Sequence, residues 1–335
     1  MPELKSVGIT GIGSYVPEKV LTNEDMSKIV DTSDEWIRTR TGIGERRIAA
    51  ENEACSDLAV KAASKAINDA DLKPEDIDLI IVATITPDYA FPATASIVQH
   101  RIGAVNAAAF DLEAACTGLV YGIVAGSNFI KTGMYKNVLV IGSEVLSKII
   151  NWEDRNTCVL FGDGASAVVL GEVEEGEGVL SAHLGSDGSG GDCLAQFGGG
   201  SRNPASKNTI ENKLHYLSMN GKEVFKFAVN ALPKTVNKSL DEIGLTPDDV
   251  KMFIPHQANF RIVDSAAKKL KQPLDKFVMN MDRFGNTSSA SIGIALDEVY
   301  KAKKLNKGDN IVLVGFGAGL TYGSCVVKWS KKIED

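Results

Sequence analysis

The chain has 335 residues, with 36 Lys and Arg against 43 Asp and Glu, a net charge of −7. At 44% hydrophobic and 24% charged residues, the balance is that of a globular protein and excludes a disordered chain, a collagen-like fibre and a disulfide-dense miniprotein. The acidic balance argues against general nucleic-acid binding, which needs Lys and Arg to neutralise phosphates, and the apolar runs, such as Val138–Ile141, are too short to cross a bilayer.

In chain order, Met1–Val7 carries Glu3 and no apolar stretch, so no signal peptide is expected and the cytoplasm is the expected location. A helix is expected over Asp57–Asp69, a turn at Pro74, a buried strand over Leu79–Thr84 and another over Ala107–Leu112. A small-residue helix over Thr117–Thr132 leads to a strand at Val138, then to a Gly-rich turn and hairpin over Gly162–Glu172. Gly185–Asn208, rich in Gly, Ser and Asn, reads as a long surface loop. The same rhythm then returns: a helix over Lys222–Ile243, a turn at Pro247, strands over Met252–Pro255 and Phe277–Met281, a helix over Ser289–Lys303, a strand at Ile311 and a hairpin over Gly317–Trp329.

This return is a repeat. Leu72-Lys73-Pro74-Glu75-Asp76-Ile77-Asp78-Leu79-Ile80-Ile81 matches Leu245-Thr246-Pro247-Asp248-Asp249-Val250-Lys251-Met252-Phe253-Ile254. Asn137–Gly142 matches Asn310–Gly315, and the interval from Asn137 to Asn310 equals that from Leu72 to Leu245. The chain therefore reads as two copies of one α/β unit, residues 1–174 and 175–335, with helices covering both faces of apolar strands.

Cys116 stands where a strand ends and a helix begins. Unpaired amides and the positive end of the helix dipole favour a thiolate there, although a buried core cysteine fits the same position. Cys55, Cys158, Cys193 and Cys325 read as core or incidental, and with no CxxC pair or His at ligand spacing no metal site is expected. His256 closes the strand Met252–Pro255, and functional groups cluster at such carboxyl ends; the first copy has Ala83 there. Asn286, in Asp282–Ser288, is taken as the counterpart of the Cys116 region, although the strict repeat interval falls on Ser289 and requires a three-residue slip. Alone it would read as a helix N-cap. Together the three suit thioester chemistry: a thiolate that accepts an acyl group, and two N–H donors for an enolate oxygen. Gly315-Phe316-Gly317-Ala318-Gly319 is either an oxyanion-binding backbone or a plain tight turn. The order Cys, His, Asn also loosely fits a papain-like hydrolase, but the Cys-Gly-Ser-Cys-Trp signature is absent.

Several ordered segments resemble one family over essentially the whole chain. They are Gly13–Pro17 with Leu21-Thr22-Asn23, Thr32–Ile37, Thr39–Ile43, Ala115–Gly118, Phe161–Ala165, Pro255–Asn259 and Gly285–Ser288. The family is β-ketoacyl-[acyl carrier protein] synthase III. The resemblance implies a thiolase-like five-layered αβαβα fold, usually a homodimer. It implies decarboxylative condensation of an acetyl-CoA or other short or branched acyl-CoA primer with malonyl-[acyl carrier protein], with no metal or redox cofactor. Cys116 would be the acylated nucleophile, His256 and Asn286 the decarboxylation pair, and the Cys116 and Ala318 amides the oxyanion hole. Trp36 and Arg155 would hold the coenzyme A adenine, with Arg40 near its phosphates, and Phe91 would reach the partner subunit's acyl pocket. Gln257, Ala258, Asn259, Phe260 and Arg261 would meet the carrier protein, together with Lys226, Lys268 and Lys269. A related condensing or acyl-transfer enzyme of secondary metabolism is the alternative. Gly317-Ala318-Gly319 departs from a frequent Gly-Gly-Gly, and Gly190–His215 matches poorly.

Overall fold

The apolar strands assemble into two sheets in the structure, a computed structural model that describes residues 4–332. The first sheet runs Val7–Tyr15, Gly164–Glu172, Val138–Glu144, Leu79–Ala83, Ala108–Leu112; the second runs Met252–Pro255, Asn310–Gly317, Thr321–Lys328, Gly178–Ser186. Leu79–Ala83 is parallel to Val138–Glu144, and Met252–Pro255 is parallel to Asn310–Gly317 in the same way. An antiparallel strand follows in each sheet, Gly164–Glu172 or Thr321–Lys328.

Five layers result. The helices Cys55–Asp69 and Thr94–Ile102 cover the outer face of the first sheet, and Gly221–Asp241 and Phe260–Lys269 that of the second. Gly118–Lys131 and Ser291–Lys301 lie between the sheets. The strand Leu79–Ala83 has apolar side chains on both faces for this reason. Ile80 and Val82 join the outer apolar cluster, while Leu79 and Ile81 join the middle one, each contributing roughly 1.5–3 kcal/mol by burial. Small residues let the middle layer approach closely: a Cβ at Gly118 would lie 2.8 Å from that of Ala83.

Three expectations are corrected. Phe277–Met281 is not a strand; Phe277 makes only an isolated bridge to Phe253, against which its ring stacks at 4.6 Å. Gly162–Glu172 forms no tight hairpin, because residues 145–163 make a long excursion between the strands Val138–Glu144 and Gly164–Glu172. The segment Gly185–Asn208 is not all loop: Leu194–Gln196 pairs with Leu217–Met219, and Gly188–Cys193 is a 3₁₀ turn.

The two strand-to-helix junctions match without a slip. The 3₁₀ turns Ala115–Thr117 and Ser288–Ala290 open on left-handed residues, Ala115 at φ 46° and Ser288 at φ 48°, and the helices start at Gly118 and Ser291. The counterpart of Cys116 is thus Ser289, and Asn286 lies three residues ahead of it.

Candidate active site

Cys116, His256 and Asn286 line one cavity of about 300 Å3, with Gly317 and Phe316 beside them. Trp36 and Arg40 also line it, and its walls are otherwise mostly apolar, among them Phe161, Leu194, Met219 and Val224. No Asp or Glu lines it.

Cys116 sits in the turn just before its helix and is 5% exposed. Burial pushes its thiol up to about 12; the Ser288 hydroxyl opposes that, and the Glu144 charge adds to it. Position at the helix start is therefore outweighed by desolvation, contrary to the expected resting thiolate. A Cβ at Gly317 would lie 2.7 Å from the Cys116 nitrogen, so only glycine lets that strand end reach the nucleophile's amide. Among the described residues, neither the Cys116 nor the Ala318 amide donates to a backbone carbonyl. Ala318 has no positive φ, so it replaces a glycine without strain.

His256 leaves its strand with its own amide donating to the Val314 carbonyl at 2.8 Å. Its Nδ1 lies 2.7 Å from Ser291 Oγ, and its ring meets Phe316 edge-on at 5.3 Å. Burial alone drives it down to about 3, which makes it a neutral imidazole at neutral pH. Asn286 is fixed on both sides: its amide donates to the Leu160 carbonyl and its carbonyl accepts from Gly162, each at 2.9 Å. Asn286 Oδ1 accepts from the Ser288 amide at 2.9 Å, which leaves the side-chain NH2 free for the cavity.

At the cavity mouth, the Arg40 and Arg155 guanidinium carbons lie 4.5 and 4.9 Å from the Trp36 ring centre. Residues far apart in sequence thus form one cation–aromatic stack. Phe91 is 85% exposed and far from burial in its own chain. On the neighbouring surface Ala258 and Asn259 are half-buried, and Phe260, Arg261, Lys226, Lys268 and Lys269 are exposed. Gln257 is different. It is 1% exposed, its amide donates to the Pro255 and Val278 carbonyls, and its Oε1 accepts from Asn280. It is a buried brace and cannot meet another protein.

Sequence reasoning missed Ser291, which holds His256; Leu160 and Gly162, which aim Asn286; and the role of Gly317. The repeat interval could have found the first, since Ser291 corresponds to Gly118. None of Cys55, Cys158, Cys193 and Cys325 lines this cavity, and no three His, Cys, Asp or Glu residues among those described are grouped to hold a metal ion.

Fold and cavity together define a thiolase-like condensing enzyme: a duplicated α/β body in which one of two equivalent junctions carries a cysteine beside a neutral His and an Asn amide. Comparison with known proteins narrows the class. The family models for 3-oxoacyl-[acyl-carrier-protein] synthase III match residues 110–188 and, for its C-terminal part, 240–329. The β-ketoacyl-[acyl-carrier-protein] synthase III of Caldanaerobacter subterraneus subsp. tengcongensis is 59% identical over 331 residues, covering 99% of this chain and 100% of that one. The crystal structure of 3-oxoacyl-[acyl-carrier-protein] synthase III from Aquifex aeolicus VF5 superposes with a TM-score of 0.89 at 45% identity, over 97% of this chain and 100% of that one. The priming β-ketosynthase of the R1128 polyketide pathway superposes with a TM-score of 0.91 at 33% identity, over 99% of both chains. The chain belongs to the 3-oxoacyl-[acyl-carrier-protein] synthase III family, and it is a condensing acyltransferase of fatty-acid biosynthesis.

Proposed function

We propose that the chain starts fatty-acid chains by a two-stage condensation on Cys116. In the first stage an acyl-CoA thioester is attacked by the Cys116 sulfur, CoA thiol leaves with the cysteine's proton, and an acyl-cysteine remains. In the second, malonyl-[acyl carrier protein] loses CO2 and the resulting enolate carbon attacks the acyl-cysteine. This gives 3-oxoacyl-[acyl carrier protein] and, after protonation, the free thiol. The observation that carries the reading is the pairing, in one cavity, of a cysteine with two neutral donors and no carboxylate. A neutral His256 whose Nδ1 accepts from the Ser291 hydroxyl carries its proton on Nε2. With the Asn286 NH2 it can then stabilise the enolate oxygen, whereas a charged imidazolium is excluded by burial. Each bond change is a thioester exchange or a loss of CO2, so protein groups and the thioesters themselves carry the chemistry.

The stacked Trp36, Arg40 and Arg155 support a nucleotide end of the acyl donor at the mouth, an aromatic plane with cations for adenine and phosphate. A homodimer is supported by the edge strand Ala108–Leu112, which pairs on one side only and exposes Phe110, near a segment that exposes Tyr89 and Phe91. Acidic carrier proteins fit the basic face of the helix Phe260–Lys269. A cytoplasmic setting fits the absence, among the described residues, of any helix long and apolar enough to cross a membrane. Identity favours the fatty-acid role over a secondary-metabolism one, with 59% to a β-ketoacyl-[acyl-carrier-protein] synthase III against 33% to the polyketide priming enzyme.

The test is intact-protein mass spectrometry after mixing with a panel of acyl-CoA primers and no malonyl donor. One acyl group mapped to Cys116 is expected. Folded protein that takes up no acyl group from any primer would overturn the mechanism.

A further inference from the structure

The two proposed oxyanion donors lie on different segments. Cys116 N–H belongs to the turn Ala115–Thr117, and Ala318 N–H to the loop between the strands Asn310–Gly317 and Thr321–Lys328. An oxyanion hole works only if its donors are held in place before charge develops. One side chain bonds to both segments. Thr321 Oγ1 lies 3.0 Å from the Ala318 carbonyl, 3.0 Å from the Ala114 carbonyl and 2.7 Å from Thr117 Oγ1. A hydroxyl has one proton and two lone pairs. The arrangement is consistent when Thr117 donates to Thr321, and Thr321 donates between the two carbonyls that flank the donor amides.

The duplication provides an internal control. The second junction repeats the backbone of the first, with φ 46° at Ala115 matched by 48° at Ser288. Yet the repeat sets Ala290 opposite Thr117, and the strand register sets Gly164 opposite Thr321, since Gly164 pairs with Glu144 as Thr321 pairs with Gly317. Gly164 has no side chain with which to reach the turn Ser288–Ala290. The second turn is tied instead through Ser288 and Ser289, which donate to Glu144, so its backbone forms without a threonine clasp, and among the described residues the Thr117–Thr321 pair occurs at the junction that holds Cys116.

We propose that Thr321 is a positioning residue for acyl transfer: with Thr117 it locks the Ala318 loop to the Cys116 turn, so that both amides point at one oxyanion. This rests on the acyl-Cys116 reading above. The expected consequence is selective. Steps that pass through a tetrahedral oxyanion depend on the clasp. Alkylation of Cys116 by iodoacetamide, a displacement with no oxyanion, does not, nor does the decarboxylation assigned to His256 and Asn286.

The experiment compares wild type, Thr321→Val and Thr321→Ser by rapid-quench mass spectrometry of Cys116 acylation at saturating acyl-CoA, and by iodoacetamide alkylation rate. Valine keeps the shape and removes the hydroxyl. Because losing one oxyanion donor outright costs about 100- to 1,000-fold, a displaced donor is expected to slow acylation about tenfold or more, with KM for acyl-CoA and the alkylation rate unchanged. Thr321→Ser is expected to restore the rate. Acylation of Thr321→Val at the wild-type rate overturns the proposal, and so does a parallel fall in acylation and alkylation, which marks a merely structural residue. A wild-type enzyme that never acylates Cys116 would instead overturn the underlying two-stage reading.

Discussion

The two strand-to-helix junctions share a backbone and differ in what surrounds it. At the first, Cys116 has Gly317 against its amide and His256 in the same cavity. The repeat sets Ser289, Glu144 and Ala83 in their places at the second. There Glu144 stands in the place of Gly317, and its carboxyl is the hub of a hydrogen-bond cluster. It accepts from Ser289 Oγ at 2.9 Å, Ser288 Oγ at 3.1 Å, Thr86 Oγ1 at 2.7 Å and the Ile85 amide at 3.1 Å. Ser289 Oγ also reaches the Ala83 carbonyl at 2.9 Å. The exchange extends to the helices: Gly118 packs on Ala83, whereas Ser291 has room to hold His256. One junction lines the candidate reaction cavity, and its twin is a hydrogen-bonded plug. A duplicated fold thus needs only a few substitutions, at points where the strand ends meet the turns, to be reactive on one side and sealed on the other.

The sharpest way to break this contrast is to alter the two equivalent residues. Cys116→Ala is expected to abolish acylation by acyl-CoA, read as loss of the mass adduct. Ser289→Ala is expected to leave acylation nearly intact and to lower stability by about 1–3 kcal/mol in urea titration, the cost of leaving buried partners short of a hydrogen bond. Equal loss of acylation in both would refute the division into reactive and plugged junctions. Next come the donors on the reactive side only. His256→Ala and Asn286→Ala are each expected to slow release of CO2 from malonyl-[acyl carrier protein] about 100-fold or more, while Cys116 acylation survives. If either variant blocks acylation while remaining folded, the assignment of these groups to the second stage is wrong.

Much of this contrast was legible in the chain. The repeat interval was set by Pro74 with Pro247 and by Asn137 with Asn310, and the helix starts Gly118 and Ser291 obey the same interval. Cys116 was singled out by its place at a helix start, His256 by its strand end, and Asn286 as the supposed counterpart of the Cys116 region. The relation of Asn286 to Cys116 was misread, since Asn286 owes its place to the chain pairing of Phe161 with Asn286 and not to the repeat. No periodicity records such a bridge. Burial was equally hidden: the sequence places Cys116 at a helix start, but only the packed structure has desolvation overriding that position. Gln257 failed for the same reason, its neighbours in sequence being exposed while its own side chain turns inward. The Trp36 stack needed Arg155 brought back beside residues 36–40, which spacing alone cannot reveal.

A smaller effect tests whether the plug influences the reactive side. The Glu144 charge raises the Cys116 thiol, after desolvation, and the Ser288 hydroxyl opposes both. Glu144→Gln keeps the volume, and its amide NH2 can face the Ser288 and Ser289 hydroxyls, which can reverse their protons, while its oxygen still accepts from Ile85 and Thr86. Removing the charge favours the thiolate, so the pH midpoint of iodoacetamide alkylation should move down, with faster alkylation at a fixed pH below the midpoint; burial raises the Glu144 carboxyl itself, so the shift reads how far it is ionised. The other titratable group bonded into this region is the buried Cys55 thiol, pushed up by its own burial and by Glu144; His256 is already neutral. An unmoved midpoint would mean that Glu144 carries no charge in the resting protein.

The mildest expectation concerns the surfaces that follow the equivalent strands. After Leu79–Ala83 the chain exposes Tyr89 at 63% and Phe91 at 85%. After Met252–Pro255 it exposes Arg261, Lys268 and Lys269 on the helix Phe260–Lys269. The first surface suits a second copy of the chain, the second an acidic partner. Lys268 is paired with Asp264 at 2.6 Å yet remains 75% exposed, while Lys269 is tied to the Val229 carbonyl and to Asn230. Exposed charges of this kind steer encounter more than they hold a complex. Lys268→Glu with Lys269→Glu is therefore expected to raise KM for malonyl-[acyl carrier protein] about fivefold at low salt, where the Debye length is tens of ångströms, and hardly at all at 1 M, where it is about 3 Å. Acylation by acyl-CoA, for which the Trp36 side of the cavity is proposed, should not change. A carrier-protein KM that stays constant at low salt would remove this helix from the docking surface and leave the two strand-end surfaces without the proposed division between self and partner.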